Sequence, residues 1–164
     1  MRLSRLLFLT ALLSPVAAQA QDVVRHGIPG SDFPIASAVE VPAGKSTIYL
    51  SGKLAAVANP DAPKGSLEAY GDTKVQTISV LTQIQKQLQS MGLDMKDVVK
   101  MQAFLVGGPE NDGKMDFKGF MEGYTQFFGK DAKQMNLPAR SAFQIAALGN
   151  PAARVEIEVI AVRP

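Results

Sequence analysis

The chain of 164 residues has no cysteine, no tryptophan and a single histidine. Without cysteine there is no disulfide, no thiol nucleophile and no thiolate-bound zinc or iron–sulfur site. One histidine cannot build a His-rich metal centre. His26 lies in "DVVRHGIPG", close to what reads as a processed end, so a Ser–His–Asp triad would rest on a frayed terminus. No Walker loop or G-x-G-x-x-G occurs, and the glycines of "VGGPENDGK" lack a Lys-Ser/Thr pair, so that stretch reads as a plain loop. An excess of one charge is also missing: 17 basic residues meet 15 acidic ones, and no basic run follows the first five residues. Nucleic-acid binding therefore has little electrostatic footing. Chemistry must come from Arg, Glu, Asp, Lys, Tyr, the backbone and water.

Long apolar runs are scarce too, and the most prominent one opens the chain. "MRLSRLLFLTALLSPVAAQA" has arginines at 2 and 5, an apolar stretch from Leu6 to Leu13, and Ala-Gln-Ala before Gln21. That stretch is too short to span a bilayer, and the whole has the layout of a cleaved secretory signal peptide over residues 1–20. No cysteine follows to carry a lipid, so no membrane anchor is expected. Removing both leader arginines brings the net charge near zero. The expected product is exported, to a bacterial periplasm, with a flexible segment over 21–32 and one domain over 33–164.

Within that domain the periodicities are readable. "SDFPIASAVEVPAG" and "STIYLSGKLA" read as two strands forming a hairpin, followed by a polar loop over 56–72. Val75, Ile78, Leu81, Ile84, Leu88 and Met91 recur at helical spacing, with Asp72 as N-cap and Gly92 as stop. "DVVKMQAFLVGG" reads as a third strand, and Phe117, Phe120, Met121, Tyr124 and Phe127 mark a second helix whose stripe reads as core. "ARSAFQIAAL" and "RVEIEVIAV" complete a β-β-α-β-α-β-β order. That order predicts an α+β domain with two helices on one face of a mixed sheet.

Alternation assigns faces. Ser141, Phe143, Ile145 and Ala147 are expected under the helices, with Arg140, Ala142, Gln144 and Ala146 on the opposite side. Met101, Ala103 and Leu105, and likewise Val155, Ile157, Val159 and Ala161, should face the helices. Lys100, Gln102, Arg154, Glu156 and Glu158 would then join Arg140. Such a face is either a solvated surface with weak ion pairs or an oligomer interface containing a polar pocket. These residues alone leave both open.

"NLPARSAFQIAAL…RVEIEVIAVRP" resembles the C-terminal signature of the Rid (reactive intermediate deaminase) or YjgF proteins, roughly P-x-R-S…V-E-I-E-x-I-A. "IYLSGKL" is similar to the family's second strand, and "VQTISVLTQIQKQLQSMGLDMKDVVKMQAFL" to its long helix, Gly-Leu turn and third strand. The likeness spans residues 33 to 163. It implies a chorismate-mutase-like fold, a homotrimer whose sheets form a barrel, and three clefts between subunits. It also implies hydrolysis of small 2-imino acids or enamines to 2-keto acids and ammonia, without metal or organic cofactor. The family's arginine falls on Arg140 and its water-handling glutamate on Glu156, with Gly52, Ala142, Ile35 and Met121 lining the substrate site. Many active members have Tyr where Ile35 stands, Cys where Ala142 stands and Asn where Met121 stands, so this pocket is more apolar.

The residue types suit that chemistry. A planar guanidinium grips a carboxylate through two parallel hydrogen bonds, which lysine cannot reproduce. A protonated imine is already electrophilic and needs a positioned water and a carboxylate to take its proton. The alternative expectation is a non-catalytic periplasmic trimer that binds a small carboxylate, or a partner protein, in the same clefts.

Overall fold

The computed structural model describes residues 21–164, so the expected signal peptide lies outside the described residues. The elements run β1 (Val24–Gly27), β2 (Ala36–Glu40), β3 (Thr47–Leu54), α1 (Leu67–Tyr70), α2 (Thr73–Ser90), β4 (Val98–Val106), α3 (Phe117–Tyr124), β5 (Ala139–Ile145) and β6 (Val155–Val162). One mixed sheet has the order β1-β2-β5-β4-β6-β3. β4 pairs parallel with β5 and antiparallel with β6, and these three strands carry the centre of the domain. The α+β architecture agrees with the sequence.

α2 begins where expected: the Asp72 carboxylate accepts from Val75 N at 2.8 Å, which satisfies one of the free amides of the first turn. It ends with Met91 as C-cap, followed by Gly92. Val80, Leu81, Ile84 and Leu88 are fully buried against the sheet. Each such side chain contributes about 1.5–3 kcal/mol relative to exposure. The buried stripe starts one position off the expected one. Val75 is 40% exposed, and Gln76 and Thr77 are buried in its place. α3 crosses close by: a Cβ on Gly123 would come within 2.7 Å of Thr77 Cβ, so only glycine permits this approach. Met101, Ala103, Leu105, Val155, Ile157 and Ala161 complete the core from the sheet side, as alternation predicted.

Four expectations are corrected. Residues 24–27, assigned to a flexible segment, form β1 antiparallel to β2. Arg25 pins it by donating to Leu137 O at 2.7 Å, Val98 O at 2.9 Å and Lys96 O at 2.9 Å. His26 is tied in as well, its Nε2 lying 2.7 Å from Glu40 Oε1. The expected hairpin between the first two domain strands does not form. β2 pairs with β1 and β5, while β3 pairs with β6 at the far end of the sheet. The polar loop over 56–72 contains α1, capped by Ser66.

The fourth correction concerns β5. Its parallel register sets Arg140 opposite Met101, Ala142 opposite Ala103 and Gln144 opposite Leu105. Met101, Ala103 and Leu105 are buried under the helices, so Arg140, Ala142 and Gln144 share the helix side. Ser141 and Phe143 look the other way, and Phe143 meets Phe104 edge-on with ring centroids 5.1 Å apart. Choosing the bulkiest apolar residues as the core face inverted this strand. The aromatic pair on the open face competes for the same signal.

A candidate site divided between two sheet faces

Arg140 lies near the start of β5, just after Pro138, where β2 touches β5 only at Ala36 and Ala139. Beyond that point no paired strand covers the outer edge of β5 among the described residues. The guanidinium reaches under α3 into a box of aromatic rings. Its Cζ lies 4.3 Å from the Tyr124 ring centroid, 5.0 Å from Phe120, 5.4 Å from Phe33 and 5.9 Å from Phe117. Ring faces attract cations, by about 0.5–2 kcal/mol each depending on desolvation. Nη1 donates to Met121 Sδ at 3.2 Å, a weak acceptor.

No carboxylate pairs with Arg140 among the described residues. Burial pulls its guanidinium below the ordinary value, an effect that Tyr124 partly offsets. Burial likewise pushes the Tyr124 phenol up, opposed by the Arg140 charge, and its hydroxyl donates to Pro34 O at 2.8 Å. The result is a half-buried cation with ring faces around it and no counter-ion. An anion is what it lacks.

Glu156 stands elsewhere. It lies on the open face of β6, opposite Phe104 of β4 and Leu54 of β3. The register of β3 shifts between Leu50 and Lys53, and Gly52 sits in that irregularity. A Cβ on Gly52 would run into the Glu156 carboxylate, so the two residues are in direct contact and glycine leaves the acid its room. Neither Glu156 nor Glu158 forms an ion pair among the described residues. Glu158 lies opposite Gln102. With Lys100, Tyr49 and Ile160 these two residues border a depression of about 280 Å³ on the open face. Tyr49 there is 76% exposed, and Phe143 on the same sheet face is 38% exposed.

The structure thus brings the expected residues together in two groups. Arg140, Met121 and Ala142 share the helix side, Ala142 packing against the core. Ile35 also packs there, next to Pro34 and Phe33. Gly52 and Glu156 share the open face. Within one chain the sheet separates Arg140 from Glu156, contrary to the expectation that one face carries both.

Arg154 was also expected on that face. It is buried just before β6, where Nε donates to Glu110 Oε1 at 2.5 Å and Nη2 to Oε2 at 3.3 Å. This hydrogen bond holds the Glu110 carboxyl below the ordinary carboxylate range. Gln144 closes the same loop, accepting from Met115 N at 2.9 Å and donating to Gly113 O at 2.8 Å. The 107–114 stretch is therefore a pinned cover at the end of β5 rather than a plain loop.

The core reading of the aromatic stripe holds, with Phe120 and Tyr124 fully buried and Phe117 packed against the core. That the same rings, with Phe33, also surround Arg140 has no signal in the sequence, because they lie far from position 140 along the chain. Among the described residues no group of three or more His, Asp or Glu is placed to hold a metal.

A family model described as endoribonuclease L-PSP matches residues 33–163. The chain is 32% identical over 135 residues to a human protein named 2-iminobutanoate/2-iminopropanoate deaminase, covering 82% of this chain and 84% of that one. It is 36% identical over 117 residues to the goat protein of the same name, covering 71% and 73%. Among solved structures, E. coli TdcF with bound serine is 28% identical with a TM-score of 0.55, covering 83% of this chain and 93% of that one. A Rid-family protein of unknown function from Yersinia pestis shares the fold at a TM-score of 0.65 and 23% identity, over 87% of this chain and all of that one. With the model match spanning nearly the whole described domain and the fold agreeing, this chain belongs to the endoribonuclease L-PSP family, the Rid or YjgF proteins.

Proposed function

We propose that this protein is an imine/enamine deaminase, hydrolysing 2-imino acids or their enamine tautomers to 2-keto acids and ammonia. The observation that carries the reading is the Arg140 guanidinium, half-buried among four rings without a carboxylate partner among the described residues. A cation held out of water in this way is stabilised by an incoming anion, and its planar fork fits a carboxylate. The relatives named as 2-iminobutanoate/2-iminopropanoate deaminases supply the matching substrate class.

The two half-sites meet across a boundary between copies. One copy presents Arg140 at the uncovered edge of β5, and a second presents Glu156 and Gly52 from its open sheet face. That arrangement fits the trimer with inter-subunit clefts that the resemblance implies. It also gives the exposed Tyr49 and Phe143 a surface to pack against. The substrate carboxylate sits on Arg140, which fixes the imine carbon. Water adds to that carbon as its proton passes to Glu156. Glu156 then returns that proton to the carbinolamine nitrogen and takes the hydroxyl proton as the C–N bond breaks, so that ammonia leaves, the keto acid remains and the proton on Glu156 passes to solvent.

Turnover of 2-iminopropanoate, generated in place by an amino-acid oxidase, tests the assignment. Arg140→Lys should weaken pyruvate binding by about 1.5–3 kcal/mol, the scale of a charge-assisted bond. Glu156→Gln should keep that affinity and slow hydrolysis. Wild-type protein that binds pyruvate through Arg140 yet accelerates no imine would favour the non-catalytic carboxylate-binding trimer. Export to the periplasm belongs to the same proposal and rests on the layout of residues 1–20. Intact Met1 on exported protein, detected by mass spectrometry, would contradict it.

A further inference from the structure

The part of the site around Arg140 offers a carboxylate clamp and almost no other free polar group. The one hydroxyl among the rings, on Tyr124, is committed to Pro34 O at 2.8 Å. Phe33 borders both the guanidinium, at 5.4 Å, and a depression of about 170 Å³. Ile28, Pro34, Ile35, Met135 and Leu137 line the same depression. Its polar side chains are those of Ser31, Asp32 and Lys130. Ser31 Oγ accepts from Phe33 N at 3.1 Å, and Lys130 pairs with Asp32 at 2.8 Å. Pockets for whole small ligands run to roughly 300–1,000 Å³, so this space suits one side chain. Phe33 itself remains 39% exposed, an open apolar ring beside a charge.

We infer that the site selects 2-imino acids with a bulky apolar side chain, branched aliphatic or aromatic, and that Phe33 sets this preference. The inference rests on the deaminase reading above and narrows its substrate class. A substrate whose carboxylate is held at Arg140 carries its side chain one carbon beyond the imine, within reach of the Phe33 ring and the depression it borders. An apolar group there removes the exposed ring from water. A hydroxylated or charged group would lose hydration against the apolar walls of Ile28, Phe33, Pro34, Ile35, Met135 and Leu137.

Calorimetric titration with pyruvate, 4-methyl-2-oxopentanoate and phenylpyruvate tests this without chemistry. Wild-type affinity should rise about tenfold or more from pyruvate to phenylpyruvate, the scale on which apolar pockets discriminate. Phe33→Ala should compress the phenylpyruvate-to-pyruvate affinity ratio to within about threefold, whatever it does to pyruvate itself through the loss of one ring from the Arg140 box, and Phe33→Leu should keep most of the gradient. Melting curves of both variants exclude unfolding as the cause. A flat wild-type series, or a gradient that survives in Phe33→Ala, overturns the inference. Imines made from alanine, leucine and phenylalanine should follow the same order in kcat/KM. Equal hydrolysis of all three would reject the side-chain preference and keep the deaminase. Graded binding without hydrolysis would reject the deaminase and keep the preference.

Discussion

Arg140 shows how one side chain can be legible in type and misread in direction. The P-x-R-S pattern identified it, and its chemistry follows from a planar fork without a counter-ion. Its face could not be read from alternation, because β5 carries bulky apolar residues on one side and rings wait for the guanidinium on the other. Glu156 was legible in both respects, since Val155, Ile157 and Val159 leave no doubt about which side is core. Gly52 follows from the resemblance of "IYLSGKL" to the family's second strand, but the reason it must be glycine appears only in three dimensions. A Cβ there would displace the Glu156 carboxylate, which is the far end of a flexible side chain and can move aside. Gly52→Ala should therefore fold with a nearly unchanged melting temperature yet lose activity. The loss should be on the order of 100-fold, as expected when a catalytic group is moved by about an ångström. A variant with wild-type turnover would show that the position of Glu156 is not critical.

At the scale of elements, α2, α3, β4 and β6 were readable because each has a strong period and clear ends. β1 was not: "VRHG" is short and polar, and it is held by pairing to β2 and by three Arg25 hydrogen bonds. The start of α2 also departs from its apolar pattern. Gln76 is fully buried, donates to Ala152 O at 3.0 Å and Gly71 O at 2.9 Å, and accepts from Arg154 N at 2.7 Å. It fastens the helix to the turn that feeds β6, and so helps to fix the strand that carries Glu156. A buried glutamine at a helix start gives no periodic signal, which is why the stripe was read one position out. Gln76→Leu keeps the approximate volume but strands three backbone groups. It should cost on the order of 2–4 kcal/mol in urea unfolding. A loss below about 0.5 kcal/mol, the size of a neutral surface change, would mean that the clamp contributes little.

For the whole molecule, the division of Arg140 and Glu156 between two sheet faces is the decisive fact. A monomer could bind a carboxylate at Arg140, but it could not bring its own Glu156 to the same substrate. The proposed trimer would cover both the outer edge of β5 and the mixed open face. The most direct test is complementation between two inactive variants, Arg140→Ala and Glu156→Gln, unfolded together and refolded as mixed trimers. Random mixing should restore roughly a quarter of the wild-type clefts, because each composite cleft then draws a sound arginine and a sound glutamate from different copies. The account predicts about that fraction of wild-type imine hydrolysis, in a species that light scattering places at three times the subunit mass. Mixed trimers no more active than either variant alone would contradict it.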